Sequence, residues 1–254
     1  MTYLDYTRRK LKMKISNTPH RKMRIFYVKI ILMIDFQYET KLCKKYGYRF
    51  VVGLDEVGRG PLAGPVTVCA FWFNKIPPLG SPGDPSELSL GLGVLKDSKL
   101  LSAKQREELY EMFCDMKNKG LVDFTTASIF PKTIDKKRIH HATVLAMRRA
   151  VKRLSVGGRI NPDFAIVDRF PYKQKVFENL TYERVRGADN LVPSVAAASI
   201  VAKVKRDRSM KNYYHKKYPK YRFDLHKGYG TELHYKMLRK HGSSPIHRQS
   251  FRLN

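Results

Sequence analysis

The sequence predicts an α/β domain in which short strands alternate with longer helices. Two runs rich in β-branched and aromatic residues, 50–54 and 66–73, flank a turn rich in glycine and proline, as neighbouring strands do. Two later stretches, 102–120 and 133–154, carry apolar residues at helical spacing. Further strand-like runs lie between and after these stretches. Such alternation is typical of a layered domain with helices packed on a sheet.

Local signals justify the individual elements. Ser102 and Gln105 have the spacing of a capping box, and Gly120 ends the helix that they begin. The segment FAIVD is apolar up to its final acid, as in a buried strand. The last predicted helix is apolar at first and strongly basic later. In chain order, we predict strands at 50–54, 66–73, 122–129, 164–168 and 182–186 and helices at 102–120, 133–154 and 193–214.

The charge of the chain points to a polyanionic partner. Among 254 residues, 50 Lys and Arg oppose 22 Asp and Glu, for a formal net charge of +28, which favours nucleic acid. No stretch approaches the roughly 20 apolar residues that span a bilayer, so we expect no membrane association. Three cysteines without zinc-ligand spacing favour a reducing compartment, and we expect a cytoplasmic location. We take a monomer as the default assembly.

Residues 1–33 differ from the remainder of the chain. They carry many Lys and Arg residues and a single acid, Asp5. In two interpretations this segment has no function: it is a disordered basic arm, or the start codon is mis-assigned and Met33 is the true start. A third reading is a non-specific tether for nucleic acid. No apolar core with a small-residue cleavage site is present, so a signal peptide is not expected. We assign residues 34–254 to one catalytic domain.

The segment LDEVGRGPLAGPV, at 54–66, contains the strongest chemical signal. Asp55 and Glu56 close an apolar strand, and adjacent carboxylates at such a position suit a hard divalent cation such as Mg²⁺ or Mn²⁺. Gly58 and Gly60 allow a sharp turn and leave Arg59 free to meet a phosphate. Metal carboxylates beside a phosphate-sized loop, in a chain this basic, indicate a nuclease site.

Two further acids extend this pattern. Asp168 ends the run FAIVD, and Asp189 precedes the helix that begins at Pro193. Taken alone, Asp168 is more simply a loop residue, and Asp189 is more simply a helix cap or a partner of the helix dipole. Together with Asp55 and Glu56, they would repel one another without a cation between them. With two metal ions roughly 4 Å apart, such a cluster can clamp a phosphodiester and activate water.

Several ordered motifs resemble those of the ribonuclease HII family. They are DEVGRGPLAGPV, KDSKLLSAKQRE, AAASIVAKVKRDRSM and HKGYGT followed by GSSPIHRQSF, and they cover about residues 34–254. The resemblance implies an RNase H-like fold, with a mixed five-stranded sheet flanked by helices and a helical C-terminal part. It implies hydrolysis of RNA in RNA–DNA hybrids and nicking 5′ to ribonucleotides in duplex DNA, with Mg²⁺ or Mn²⁺. The expected products carry 3′-hydroxyl and 5′-phosphate ends.

The resemblance assigns roles to individual acids. Asp55 and Glu56 match the first two catalytic metal ligands of the family. Asp168 matches the acid that ends the fourth strand, and Asp189 matches the acid before the helix with the AASI sequence. The RGAD context of Asp189 is a looser match. Arg169-Phe170 replaces the usual glycine after the fourth strand, so the loop there is expected to differ.

The resemblance also assigns substrate contacts. Gly58, Arg59 and Gly60 match the element that reads the ribose 2′-hydroxyl, the group that distinguishes RNA from DNA. Tyr229 matches the tyrosine that stacks beside that sugar and enforces the step from a ribonucleotide to a deoxyribonucleotide at the junction. Independently of the resemblance, the spacing of Lys203 and Arg206, three residues apart on a basic helix, leads us to expect that they reach the nucleic-acid strand near the cleavage site.

The remaining predictions concern a basic helix face, three histidines, Asp97 and one loop. A basic face is expected to track phosphates and includes Lys203, Lys205, Arg206, Arg208, Lys211, Lys216 and Lys217. His226, His241 and His247 have irregular spacing and are expected at the surface or against nucleic acid. Asp97 is expected to organise a turn, and the loop at 77–93 is longer than is usual in the family.

Two alternatives also fit the sequence. A ribonuclease HIII would carry a folded N-terminal domain and lack the arginine of the GRG element, and here Arg59 is present. A basic protein that only binds nucleic acid would also fit the composition. Such a binder gains nothing from four acids placed where a phosphate must sit.

Overall fold

The computed structural model describes residues 36–74, 101–156, 160–168 and 175–253. Five strands form one sheet in the order β3-β2-β1-β4-β5. Strand β2 is antiparallel to both β1 and β3, whereas β1, β4 and β5 run parallel. The mixed five-stranded sheet is therefore confirmed. The strands are β1 Val51–Val57, β2 Val66–Phe73, β3 Val122–Ile129, β4 Phe164–Asp168 and β5 Thr181–Val185.

Helices cover the sheet and build the C-terminal part of the described chain. The α-helices are α1 Gln37–Tyr46, α2 Ala103–Asn118, α3 Pro131–Ser155, α4 Ala188–Leu191, α5 Pro193–Arg208, α6 His215–Lys217, α7 Phe223–His226 and α8 Glu232–His241. A π-helical turn, Ser209–Tyr214, follows α5, and a 3₁₀ turn spans Pro219–Tyr221. The helical C-terminal part that the resemblance implied is present.

Strand β2 explains the layering. All eight of its residues are buried, so it has no solvent-facing side. Val68 and Ala70 pack with Met147 of α3 on one face of the sheet, and Phe71 packs with Phe113 of α2 and residues of α5 on the other. Successive side chains of a strand point to opposite faces, and a helix covers each face.

The predicted elements are present, with shifts at their ends. Ser102 Oγ accepts a hydrogen bond from Gln105 N at 3.2 Å, and Gln105 Oε1 accepts one from Ser102 N at 2.8 Å, which confirms the capping box. Helix α3 begins two residues early because Pro131 suits a first helical turn. The predicted helix 193–214 is α-helical only to Arg208 and continues as the π-helical turn.

Some predictions lie outside the described residues. They concern the basic extension 1–33, the loop at 77–93, Asp97 and the pair Arg169-Phe170. Within the described ranges, no helix is both long and apolar enough to cross a membrane. Helix α1 and the short helix α4 were not predicted, because neither has a long apolar period.

Candidate active site

Parallel pairing of β1 and β4 brings two of the predicted acids together. Leu54 of β1 is paired with Val167 of β4, so the next residues, Asp55 and Asp168, emerge side by side. The carboxyl ends of parallel strands share one edge of the sheet. Glu56 follows Asp55 on β1. Electrostatic interaction couples Asp168 to both Asp55 and Glu56. The structure thus gathers three of the four predicted acids.

Burial makes this acidic cluster electrostatically expensive. Asp55 is 9% exposed, and burial, followed by the charge of Glu56, raises its pKa well above the usual range. Burial also raises the pKa of Glu56, against the opposing effect of Arg59. The Oε2 atom of Glu56 is buried without a hydrogen-bond partner in the described part of the chain. A buried carboxylate oxygen without a partner is suited to accept a cation.

Asp189 lies next to this cluster through the backbone. It is 4% exposed and occupies α4, and Ala188 N donates a hydrogen bond to Asp168 Oδ1 at 3.1 Å. Asp189 does not cap α5, whose N-cap position is occupied by Val192; it lies in the first turn of α4, where an acid can interact with the helix dipole. Across the described ranges, no three Asp, Glu, His or Cys side chains already form an arrangement that would hold a metal.

The loop after β1 carries the GRG element directly beside the acids. Arg59 Nη1 donates to Glu56 Oε1 at 3.2 Å, and Arg59 Nη2 lies 3.1 Å from His140 Nδ1 on α3. Burial, followed by the charge of Arg59, lowers the pKa of His140, so its neutral ring can accept this bond. A Cβ at Gly58 would lie 2.2 Å from Arg206 Nε, whereas one at Gly60 would meet no atom within 4 Å. The side of the loop at Gly60 is therefore open to a ligand.

Arg248 holds this loop from within the protein. Its side chain is fully buried. The guanidinium donates to Gly58 O at 2.6 Å, to Arg59 O at 2.8 Å and to Gly64 O at 2.8 and 3.0 Å. Burial and the neighbouring charge of Arg206 lower its pKa to about 9. Backbone carbonyls thus replace water around this cation and fix the path of the GRG element.

Arg206 supports the same loop, and its predicted contact with the substrate is wrong. It is fully buried and donates from Nε to Pro65 O at 2.9 Å and from Nη2 to Ala63 O at 3.2 Å. The guanidinium carbon also lies 5.4 Å from the ring centre of Tyr229. Arg206 falls on the core side of α5, so a phosphate cannot reach it. It acts on the site through the loop and the tyrosine ring.

Tyr229 follows a residue that contacts the loop after the GRG element. Gly228 O accepts hydrogen bonds from Leu62 N at 2.8 Å and Ala63 N at 3.3 Å. The tyrosine ring is 36% exposed and has Lys203 Nζ 5.4 Å from its centre, within range of a cation–π contact. Lys203 also pairs with Asp207 at 3.0 Å. The ring and the loop form adjoining walls of one surface.

The predicted basic face is only partly available to a ligand. Lys205, Lys211, Lys216 and Lys217 are exposed. Arg208 instead forms ion pairs with Glu107 and Glu111 of α2. The prediction of surface histidines is correct for His241 and wrong for His226 and His247, which are buried. Their rings pack among aromatic side chains of the C-terminal part.

Comparisons with known proteins identify the family. The family model described as Ribonuclease HII matches residues 52–254. The chain belongs to this family. It is 41% identical over 207 residues to a ribonuclease HII of Ralstonia nicotianae, covering 82% of this chain and 78% of that protein. It is 39% identical over 219 residues to a ribonuclease HII of Caldicellulosiruptor bescii, covering 86% and 94%.

A solved structure gives the same result for the fold. The crystal structure of ribonuclease H2 from Pyrococcus horikoshii is 27% identical, with a TM-score of 0.57, over 80% of this chain and 94% of that chain. As a ribonuclease HII family member, the chain is a ribonuclease H enzyme, an endonuclease with RNA–DNA hybrids as its substrate class. The match to the ribonuclease HII family model decides against both alternatives, a ribonuclease HIII and a basic protein that only binds nucleic acid.

Sequence reasoning missed three residues of this ribonuclease HII site. Arg248 lies within the motif GSSPIHRQSF, but sequence alone does not distinguish a buried arginine from a surface one in a chain with 50 basic residues. Ser199, in the AAASIVAK motif, hydrogen-bonds Asp55. His140 lies on α3 and contacts Arg59 across 81 positions of the chain, so no local pattern indicates that contact.

Replacement of Arg248 should show how strongly the loop depends on it. In Arg248→Lys, a single ammonium cannot reach the carbonyls of Gly58, Arg59 and Gly64 together. We expect the free energy of unfolding to fall by about 2–4 kcal/mol, because buried acceptors lose charged donors. Urea unfolding measures this change, and Arg239→Lys on the exposed side of α8 should change stability by less than about 0.5 kcal/mol. Equal stability of the two variants would contradict the role of Arg248.

Proposed function

We propose that this enzyme hydrolyses phosphodiesters by a two-metal mechanism, cutting the RNA strand of hybrids and nicking 5′ to ribonucleotides embedded in duplex DNA. The products would carry 3′-hydroxyl and 5′-phosphate ends. The observation that carries the proposal is the cluster of Asp55, Glu56 and Asp168, in which Asp55 is buried and Glu56 Oε2 is buried without a hydrogen-bond partner among the described residues. Such a cluster weakens the fold unless a cation or a proton neutralises it.

The donor set of this cluster fits a hard divalent cation. Asp55, Glu56, Asp168 and Asp189 offer only carboxylate oxygens, the ligands preferred by Mg²⁺ and Mn²⁺. Asp55, Glu56 and Asp168 would hold one ion, and Asp55 with Asp189 would hold the other. When bound, the ions would supply an activated water and stabilise charge on the leaving 3′-oxygen. Ser199 orients Asp55 by a hydrogen bond, and Arg59 restrains Glu56.

Recognition of the ribose is proposed to come from the loop and the tyrosine. Gly58, Arg59 and Gly60 form a fixed edge because Arg248 binds two of their carbonyls. The open space at Gly60 would admit a sugar, so that polar groups of the loop can meet its 2′-hydroxyl. Tyr229 presents a half-exposed ring beside this edge. A ring face in that position would stack on the next nucleotide.

We also propose the form and the cellular setting in which the enzyme acts. Residues 34–254 form the catalytic domain, and the enzyme acts as a monomer in the cytoplasm, in DNA replication and ribonucleotide excision repair. Cys43, Cys69 and Cys114 are free thiols, which supports a reducing compartment. The exposed lysines after α5 support binding to a polyanion.

The variant Asp55→Asn tests the metal role. We expect loss of hydrolysis by at least roughly 10³-fold with Mg²⁺ or Mn²⁺, because metal-ion stabilisation contributes several kcal/mol. Binding of a duplex with one ribonucleotide should persist. In chelator at pH 7, the variant should melt at a higher temperature than the wild type, because a buried repulsive charge is removed.

Asp123→Asn provides the matched control for Asp55→Asn. Asp123 lies on β3 and forms an ion pair with Lys117 of α2 at 2.6 Å. Because its charge is already balanced away from the acidic cluster, this variant should keep full activity and gain no stability in chelator. Cleavage by Asp55→Asn at the wild-type rate would refute the proposed metal site.

Substitution of Tyr229 distinguishes stacking from hydroxyl chemistry. Tyr229→Phe keeps the ring face, so cleavage of a duplex with a single ribonucleotide should stay within about threefold of wild type. Tyr229→Ala should lose roughly 10- to 100-fold in kcat/KM, since aromatic stacking contributes about 1–3 kcal/mol per base. A large loss in the phenylalanine variant would show that the phenolic hydroxyl takes part.

Charge reversal at Lys216 and Lys217 tests the phosphate-binding surface. The double change to Glu should weaken duplex binding and reduce the slope of log affinity against log salt by about 1–2, since each phosphate contact contributes about 0.9. Fluorescence anisotropy across a salt series measures both. Reversal of two exposed lysines on α1, Lys44 and Lys45, should have less effect on the slope. Equal slopes for the Lys216/Lys217 variant and the wild type would contradict the proposal.

A further inference from the structure

Three buried histidines form a cluster directly behind Tyr229. His226 is 7% exposed, His234 is fully buried and His247 is 2% exposed. The rings of His226 and His234 stack with centres 4.2 Å apart, and those of His234 and His247 lie 5.2 Å apart. Phe223 contacts all three rings. None of these histidines belongs to the acidic cluster, so the hydrolytic chemistry does not explain them.

The protonation of His247 follows from its backbone neighbour. Ser244 N lies 2.8 Å from His247 Nδ1. A backbone N–H can only donate, so Nδ1 accepts and the ring proton resides on Nε2. His247 Nε2 lies 3.0 Å from His234 Nε2. His247 therefore donates its proton toward His234, and His234 Nε2 accepts.

His234 transmits this arrangement to Tyr229. Since its Nε2 accepts, its proton resides on Nδ1, which lies 2.9 Å from Tyr229 O. The chain of donors runs from Ser244 N through His247 and His234 to the carbonyl of Tyr229. Burial, followed by the charge of His226, lowers the pKa of His234 to about 4, and burial lowers that of His247 to about 4. Both rings are therefore neutral at physiological pH.

The residue before Tyr229 is clamped on its other side. Gly228 O accepts from Leu62 N and Ala63 N of the GRG loop, and Gly228 N donates to His226 Nδ1 at 3.1 Å. Gly228 has a φ of +86°, and a Cβ there would lie 2.4 Å from Ala63 O. The peptide between Gly228 and Tyr229 is held between the GRG loop on one side and the three histidines on the other. Both contacts fix the backbone just before Tyr229 relative to Leu62 and Ala63.

We propose that His234 and His247 form a relay that positions Tyr229, and so sharpens the selection of a ribonucleotide followed by a deoxyribonucleotide. This proposal rests on the proposed junction-reading role of Tyr229. The two histidines are positioning residues, since they touch neither substrate nor metal. Their effect acts through a backbone carbonyl and should appear in selectivity rather than in hydrolysis as such.

Two substitutions at position 234 separate the relay from simple packing. In His234→Asn, the side-chain amide nitrogen can replace Nδ1 as donor to Tyr229 O. In His234→Gln, the amide reaches the position of Nε2, so it keeps the contact with His247 and loses the one with Tyr229 O. The readout is the ratio of kcat/KM for a DNA duplex with one ribonucleotide to that for a uniform RNA–DNA hybrid. Inactive or unfolded enzyme lowers both values equally and cancels in this ratio.

We expect the glutamine variant to lower the ratio about fivefold, the effect of one lost hydrogen bond of about 1 kcal/mol. The asparagine variant should stay within about twofold of wild type. His241→Gln, at the exposed end of α8, should leave the ratio unchanged. A glutamine variant that keeps the wild-type ratio, whatever its absolute rates, would overturn the relay.

A measurement on the wild-type protein tests the relay without any variant. Long-range ¹H–¹⁵N spectra of the histidine rings at pH 7 should show a proton on Nδ1 of His234 and on Nε2 of His247. The opposite tautomer at either ring would overturn the proposal even if the variants fail to fold. If the wild type cleaves hybrids but not the single-ribonucleotide duplex, the proposed junction reading fails. The ring spectra would still decide whether the relay exists.

Discussion

The solvation of two buried arginines by backbone carbonyls is the interaction on which the site depends. Arg248 and Arg206 are both fully buried, and together they bind carbonyls of five residues between Gly58 and Pro65. A buried cation without hydrogen bonds is very costly. The loop therefore cannot rearrange without exposing these charges to an apolar interior. The rigidity of the GRG element is a consequence of charge burial.

This construction explains the glycines of the loop. A Cβ at Gly58 would collide with Arg206, and one at Gly64 would lie 2.4 Å from Met210 Sδ. Both residues also have positive φ values, +88° and +84°. The arginine side chains and the π-helical turn fill the space that side chains would otherwise need. Gly60, by contrast, faces open space, and its lack of a side chain serves the ligand side of the loop.

The acidic cluster and the arginine pair have opposite roles in the energy of the fold. Burial raises the pKa of Asp55 and Glu56, so their ionised forms weaken the fold. The rest of the fold offsets this cost. Its stability comes from the two buried arginines, the capped helix α2 and the core on both faces of the sheet, and it holds the carboxylates of Asp55 and Glu56 in place. A cation that relieved this repulsion on binding would stabilise the fold in proportion to its affinity. The histidine cluster extends the same scaffold to Tyr229 through neutral donors.

The sequence by itself determined the sheet, its main helices and the candidate acids, because those depend on local signals. Alternating apolar runs, a capping box and a strand that ends in DEVGRG can be read over a few residues. What only the tertiary structure decided was which of the 50 basic residues are buried. Arg206 and Arg248 resemble surface cations in sequence, and His226 and His247 resemble surface histidines. Their burial results from contacts across as many as 190 positions, such as Arg248 with Gly58, and no local pattern encodes a partner at that distance.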